Sequence, residues 1–274
     1  MKNIEFIKMH GLGNDFVIID RRSLKFSISK NFIEKISDRK TGAGCDQIIT
    51  IENSNKPNID AKILIYNANG DSAEACGNGA RCVAKILSNE FKKKNITIES
   101  INKKLRAEIN KKNVSINMGK ISMHWNKIPL SKKLDVKNIP INVNNFSKGF
   151  AINIGNPHIV FFGDNLDKID IKKIGSKIEN HKIFPDKTNV EFVKVVNRKK
   201  IKMRVWERGV GETLACGSGA CASVFAAYKK NLVGKNCEVV VKKGSLFIKI
   251  NQNNELILTG PVEISYIGKI KVKI

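Results

Sequence analysis

A repeat is the feature that most limits what this chain can fold into. Gly13-Asn14, followed by Phe16-Val17-Ile18, recurs as Gly155-Asn156, followed by His158-Ile159-Val160, 142 positions further on. At the same offset Phe32 and Ile36 recur as Ile174 and Ile178, and Gln47 before Ile48-Ile49 recurs as Asn189 before Val190-Glu191-Phe192. Tyr66 and Cys76 recur as Trp206 and Cys216 at an offset of 140. A near-constant offset across separate features marks an internal duplication, and a period this long does not suit a solenoid. Two similar domains are therefore expected. Residues 119–147 hold two of the six prolines and little periodicity, and read as the linker.

Most of each half reads as short strands with β-branched or alternating patterns: 4–9, 16–20, 47–51, 61–66, 96–101 and 114–118 in the first half. In the second half 151–154, 159–162, 190–196, 201–206, 239–242, 246–250 and 256–258 do the same, and 262–274 forms a closing strand or hairpin after Gly260-Pro261. Four segments keep helical spacing instead: 29–39, 170–180, and the stretches after Cys76 and Cys216. Ala80, Val83, Ala84, Leu87 and Phe91 form one stripe, whereas 220–228 is apolar nearly all round and reads as a helix buried in a core. The fold class is α+β.

Charge has to be weighed before chemistry, because 49 Lys+Arg against 25 Asp+Glu invites a nucleic-acid reading. Only 8 of those basic residues are Arg, and Lys, Ile and Asn together supply 111 of 274 positions. A/T-rich codons favour these three residues, so base composition explains the excess. Groove and phosphate readers rely on the bidentate guanidinium, which is scarce here. The basic clusters, such as 92–94, 198–200 and 242–243, are short and scattered. A basic nucleic-acid-binding module stays as the reading from another class, separable by the salt dependence of duplex binding. No run of about 18 apolar residues suggests a membrane span. The N-terminus has no apolar h-region, and six cysteines without a signal fit a reducing cytoplasm.

The strongest chemical signal is Cys76-Gly77-Asn78-Gly79-Ala80 and its counterpart Cys216-Gly217-Ser218-Gly219-Ala220. Each puts a cysteine just before a Gly-x-Gly turn that opens a helix, where backbone N–H groups and the positive helix end are expected to lower a thiol pKa. The same N–H groups suit a ligand carboxylate. Two such cysteines, one per copy, point to a site on the pseudo-twofold axis between the domains. Chemistry needing two equivalent bases on opposite faces of one carbon is racemisation or epimerisation: one thiolate takes the α-proton and the other thiol returns one. The scheme requires no cofactor and no metal.

HGLGNDFVIID, YNANGDSAEACGNGARC, GNPHIV, TNVEFV and ERGVGETLACGSGACA, in this order and spacing, resemble the diaminopimelate epimerase family across nearly the full chain. The resemblance implies a pyridoxal-independent isomerase interconverting LL- and meso-2,6-diaminopimelate in lysine and peptidoglycan precursor synthesis, in the cytoplasm and as a homodimer. It implies two pseudo-symmetric domains, each a mixed or antiparallel strand barrel around a central helix. The domains would be 1–118, with 263–274 returning to it, and 119–262. It casts Cys76 and Cys216 as the acid/base pair, with His158 and Glu207 supporting proton transfer. Asn14, Gln47, Asn67, Asn156, Asn189, Glu207 and Arg208 match substrate contacts, as do Gly77-Asn78 and Gly217-Ser218 through their backbone. Asn69 stands where the family often has Asp, a change between two turn-formers.

Blander readings frame these assignments. Free cysteines often serve as small core residues; mirrored turns argue against this for Cys76 and Cys216, whereas Cys45, Cys82, Cys221 and Cys237 read as packing. Spacings of five between Cys76 and Cys82 and four between Cys216 and Cys221 do not match close zinc pairs. His10 could line the site, and Arg81 is expected to tie its helix to a carboxylate. A two-cysteine racemase acting on proline or hydroxyproline is the nearest alternative. Asn67, Asn189 and Arg208 favour a longer substrate with a second polar end.

Overall fold

Strand and helix follow one another in the same order twice, but for one short extra strand in the second pass. The computed structural model describes residues 2–24, 26–73, 76–101 and 103–272. The first pass runs β1 (Lys2–Gly11), β2 (Asn14–Asp20), α1 (Lys30–Ser37), β3 (Gln47–Glu52), β4 (Ala61–Asn67), α2 (Gly77–Phe91), β5 (Asn95–Ser100), β6 (Lys103–Asn110) and β7 (Asn113–Lys120). The second runs β8 (Phe150–Asn153), β9 (Pro157–Phe162), α3 (Ile171–Glu179), β10 (Asn189–Asn197), β11 (Lys200–Glu207), β12 (Gly211–Thr213), α4 (Gly217–Lys229), β13 (Asn236–Val241), β14 (Gly244–Ile250) and β15 (Glu255–Pro261). β16 (Glu263–Val272) closes the described chain, and Lys273 and Ile274 of the expected closing strand lie outside the described residues.

The chain divides into two compact units, one of Met1–Ile116 with Gly260–Ile274 and one of Asn117–Thr259. In the first unit β1 and β2 pair antiparallel, β2 and β3 parallel, β3 and β4 antiparallel, β4 and β5 parallel, and β5 and β6 antiparallel. The second unit repeats that alternation through β8, β9, β10, β11, β13 and β14. Register repeats too: Phe16 faces Gln47 in one unit and His158 faces Asn189 in the other. The first unit adds β16, antiparallel along β1.

Each set of strands packs around one central helix. α2 buries Ala80, Val83, Ala84 and Leu87 against β1, β2, β5 and β6. A fully buried Leu such as Leu87 is worth about 2 kcal/mol over an exposed one. α4 buries Ala220, Cys221, Ala222, Val224, Ala226 and Ala227 among β8, β9, β10, β11, β13 and β14. Its lack of a polar face follows from that enclosure. The outer helices start on ordinary caps, Ser29 Oγ accepting from Phe32 N and Asp170 Oδ1 from Lys173 N. Among the described residues no helix is long and apolar enough to cross a membrane.

Two expectations change. The stretch read as a linker carries no long element, yet Ile128, Leu130, Val136, Ile139, Ile141 and Val143 are buried in the second unit's core with Ile159, Phe161 and Phe192. Apart from the short alternation of Ile139, Ile141 and Val143, its apolar residues are scattered among turns, so no long period announces them. β6 was not expected, because its inward Leu105, Ala107 and Ile109 alternate with Lys104, Arg106 and Glu108 in a strand that reads as charged.

Candidate active site

In the first unit the site is built at the start of α2. Cys76 is the N-cap, and its Sγ accepts from Gly79 N at 3.3 Å while its carbonyl accepts from Ala80 N at 2.9 Å. Sulfur thus replaces the oxygen that usually caps a helix. Asn14, the first residue of β2, reaches it: Cys76 Sγ lies 3.9 Å from Asn14 Oδ1, and Asn78 Nδ2 donates to the same oxygen at 3.1 Å. Asn78 Oδ1 in turn accepts from Arg81 at 2.7 Å, and Arg81, fully buried, also donates to Pro261 O at 3.0 Å. At the adjoining strand ends Gln47 Nε2 donates to Asn67 Oδ1 at 2.9 Å. Asn69 caps its exposed turn, Oδ1 accepting from Asp71 N at 3.1 Å.

Asn14 is held from behind by charge. Its Nδ2 donates to Asp46 Oδ2 at 2.9 Å. Arg39 bridges Asp46 and Asp15 at 2.7 and 2.8 Å, and Lys8 pairs with Asp15 at 2.6 Å. Burial raises Asp15, but the hydrogen bonds and charges of Arg39 and Lys8 outweigh it and hold its carboxyl at about 2. Burial pushes Asp46 the other way, upward, with the Asp15 charge adding to it. His10 stands 3.9 Å from Glu263.

The second unit repeats the design at α4. Cys216 is the N-cap, its Sγ 3.4 Å from Gly219 N and 3.4 Å from Ser218 Oγ, and its carbonyl accepts from Ala220 N at 2.9 Å. The thiol here runs against the expectation of a lowered pKa. Burial, then the charges of Glu207 and Glu191, push Cys216 well up, and the Ser218 and Gly219 hydrogen bonds do not compensate. Burial and the two carboxylates thus favour the protonated form of Cys216.

Around it, His158 Nδ1 meets Glu191 Oε1 at 2.6 Å and Nε2 meets Asn156 Oδ1 at 2.9 Å, with His158 and Glu191 wholly buried. Asn189, 3% exposed, donates to Pro157 O at 2.7 Å and accepts from Arg208 N at 2.9 Å. Arg208 is half-buried, its guanidinium on Asp186 O at 3.2 Å. Glu207, at the end of β11, accepts from Thr213 Oγ1.

Hydrogen bonds thus join Asn14 to Asn78 and Gln47 to Asn67 in the first unit, and Asn156 to His158 and Asn189 to Arg208 in the second. Gly77 opens α2, and Gly217 and Ser218 open α4. Asp46 and Glu191 were missed. Asp46 sits one residue before Gln47, and Glu191 lies inside the repeated strand motif, where its counterpart Ile49 looks like ordinary core.

Two α+β halves, each folded on a helix that begins at a cysteine, make a fold already seen in solved structures. A phenazine biosynthesis protein of the PhzF family from Bacillus anthracis superposes with a TM-score of 0.71 at 15% identity, covering 99% of this chain and 100% of that one. A protein described as a predicted epimerase from Pseudomonas aeruginosa gives 0.71 at 12% identity, covering 98% and 100%. The sequence carries the assignment further. It matches the diaminopimelate epimerase family over residues 6–124 and 150–265, and it is 46% identical over 278 residues to the diaminopimelate epimerase of Pelagibacter ubique, covering 99% of this chain and 100% of the relative. The chain belongs to the diaminopimelate epimerase family, and is an isomerase.

Proposed function

We propose that this family member interconverts LL- and meso-2,6-diaminopimelate by two-base proton transfer at one α-carbon, with Cys76 and Cys216 as the bases. The observation that carries the reading is the repeated sulfur cap, a cysteine Sγ accepting from the glycine N–H three residues on in both units. In one direction Cys76 as thiolate removes the α-proton and the Cys216 thiol delivers one to the opposite face; in reverse the roles exchange. The first-turn amides at Gly77-Asn78 and Gly217-Ser218 hold the reacting carboxylate and stabilise the carbanion. His158 and Glu207 support proton transfer. Asn14, Gln47, Asn67, Asn156, Asn189 and Arg208 fix the rest of the zwitterion, with Arg208 on a carboxylate and Glu207 on an ammonium. The reaction uses no cofactor or metal. It serves lysine and peptidoglycan precursor synthesis in the cytoplasm, as a homodimer.

The test is incubation with LL-diaminopimelate in D₂O under reductant. Meso product carrying deuterium at one α-carbon is expected, and no exchange overturns the reading. Cys76→Ala and Cys216→Ala each abolish epimerisation; full activity in either contradicts the two-base scheme.

A further inference from the structure

Duplication gives every residue of one half a counterpart in the other, and at one place the two diverge in chemistry. Phe16 and Ile49 stand where His158 and Glu191 stand 142 positions later. Both pairs occupy neighbouring parallel strands, β2 with β3 and β9 with β10. Both back the first turn of the central helix. A Cβ added at Gly79 would meet Ile49 Cδ1 at 2.4 Å and Phe16 Cε1 at 3.3 Å; at Gly219 it would meet Glu191 Oε1 at 2.8 Å and Cγ at 3.3 Å. Hydrocarbon in one half is an acid–imidazole pair in the other.

That pair is an expensive way to fill the space. His158 and Glu191 are shut away from water, and Glu191 Oε2 has no hydrogen-bond partner among the described residues. Native proteins seldom leave a buried carboxylate oxygen unsatisfied, and an apolar replacement for a buried ion pair is often no less stable. Phe16 and Ile49 demonstrate that the fold itself accepts hydrocarbon at this position. Stability therefore does not explain Glu191. His158 on β9 bonds Glu191 directly, and the charges of Glu207, at the end of β11, and of Glu191 both act on the thiol of Cys216 at the cap of α4.

We propose that Glu191 is a positioning residue that makes the two cysteines unequal: acting across the Gly219 turn and through His158, it keeps Cys216 as the proton donor of the resting protein. This rests on the two-cysteine reaction above. In that direction the C–H proton passes to Cys76 sulfur and the Cys216 S–H proton passes to carbon, so bonds and electrons balance. The thiolate left on Cys216 is disfavoured by Glu191, which returns the pair to its resting distribution.

The test is cysteine-by-cysteine titration by NMR of Cβ-labelled protein, with the pH dependence of kcat/KM, for wild type, Glu191→Gln and Glu191→Asp. In wild type Cys216 stays protonated to higher pH than Cys76. Removing the negative charge in Glu191→Gln lowers the Cys216 midpoint by about one pH unit, a tenfold gain in thiolate fraction, and leaves Cys76 in place. The basic limb of kcat/KM moves the same way with KM unchanged, and Glu191→Asp restores both. Cys216 titrating at or below Cys76 in wild type overturns the proposal, and that measurement decides even if Glu191→Gln does not fold. An unchanged Cys216 midpoint in folded Glu191→Gln, with a loss of rate uniform across pH, marks Glu191 as packing alone and also overturns it. Wild type without epimerase activity refutes the reaction instead, and the titration still decides the role of Glu191.

Discussion

Asn14→Asp changes one atom's chemistry at the centre of the first unit's network. Asn14 Nδ2 donates to Asp46 Oδ2 at 2.9 Å, and the residue is 8% exposed. The variant sets two carboxylates face to face at that distance. With an effective dielectric of about 20 their repulsion is about 6 kcal/mol. Arg39, 2.7 Å from Asp46 Oδ1, offsets part of it. The protein escapes by binding one proton between the two oxygens, and holding a proton at about pH 7 on a group of ordinary pKa costs about 4 kcal/mol, which caps the penalty. A loss of about 3 kcal/mol at neutral pH is expected.

The sign with pH is fixed by the same proton. The folded variant carries one proton more than its unfolded chain, so stability relative to wild type falls by about 1.4 kcal/mol per unit as pH rises above about 4, and returns as pH falls. Trp125 and Trp206, the only tryptophans, lie in the second unit, so fluorescence reports the wrong half. Amide hydrogen exchange of β2 and α2, corrected for intrinsic rates between about pH 5 and 7, reads the right one. Asn14→Ala loses the same hydrogen bond without a slope. Equal, pH-independent losses in both variants would refute the reasoning.

Asp15 provides a second pH test. Its folded carboxyl lies at about 2 against 3.8, so its contribution is complete above about 4 and disappears as pH falls through 2. Asp15→Asn is expected to cost about 2 kcal/mol in neutral urea titrations followed by circular dichroism, the gap closing toward about pH 2; a gap constant with pH would contradict it. Gly79→Ala and Gly219→Ala both overpack a first turn, at about 1–3 kcal/mol each. Only Gly219→Ala pushes Glu191 against its bond to His158, so it alone changes the shape of the pH–rate profile; profiles of one shape in both variants would exclude that coupling.

Much of the fold could be read from residues whose signals are local. β3 and β10 carry β-branched runs, and α2 carries an apolar stripe behind the glycine turn that opens it. The duplication was legible because Cys76 and Cys216, Gln47 and Asn189 keep their spacing. What escaped depends on distant neighbours. The 119–147 stretch holds scattered apolar residues whose partners, Ile159 and Phe192, come from other strands. The Cys216 thiol departs from expectation for the same reason: the glycine turn is visible beside it, whereas burial, and then the charges of Glu207 on β11 and Glu191 on β10, reverse the effect. Glu191 itself is one letter in a strand, and only its pairing with His158 gives it a role.

The pairing of β16 with β1 bears on how the protein is made. β1 precedes every other described strand and β16 follows them all, yet the two lie side by side. The second unit, Asn117–Thr259, is one continuous stretch, so it can close while residues 260–272 are still being added. The usual order is thereby inverted, with the half begun first being the half finished last. Arg81, which holds Asn78 at the Cys76 turn, finds the carbonyl of Pro261 only then. Translation thus lets the turn at Cys216 assemble while the turn at Cys76 still waits for Pro261.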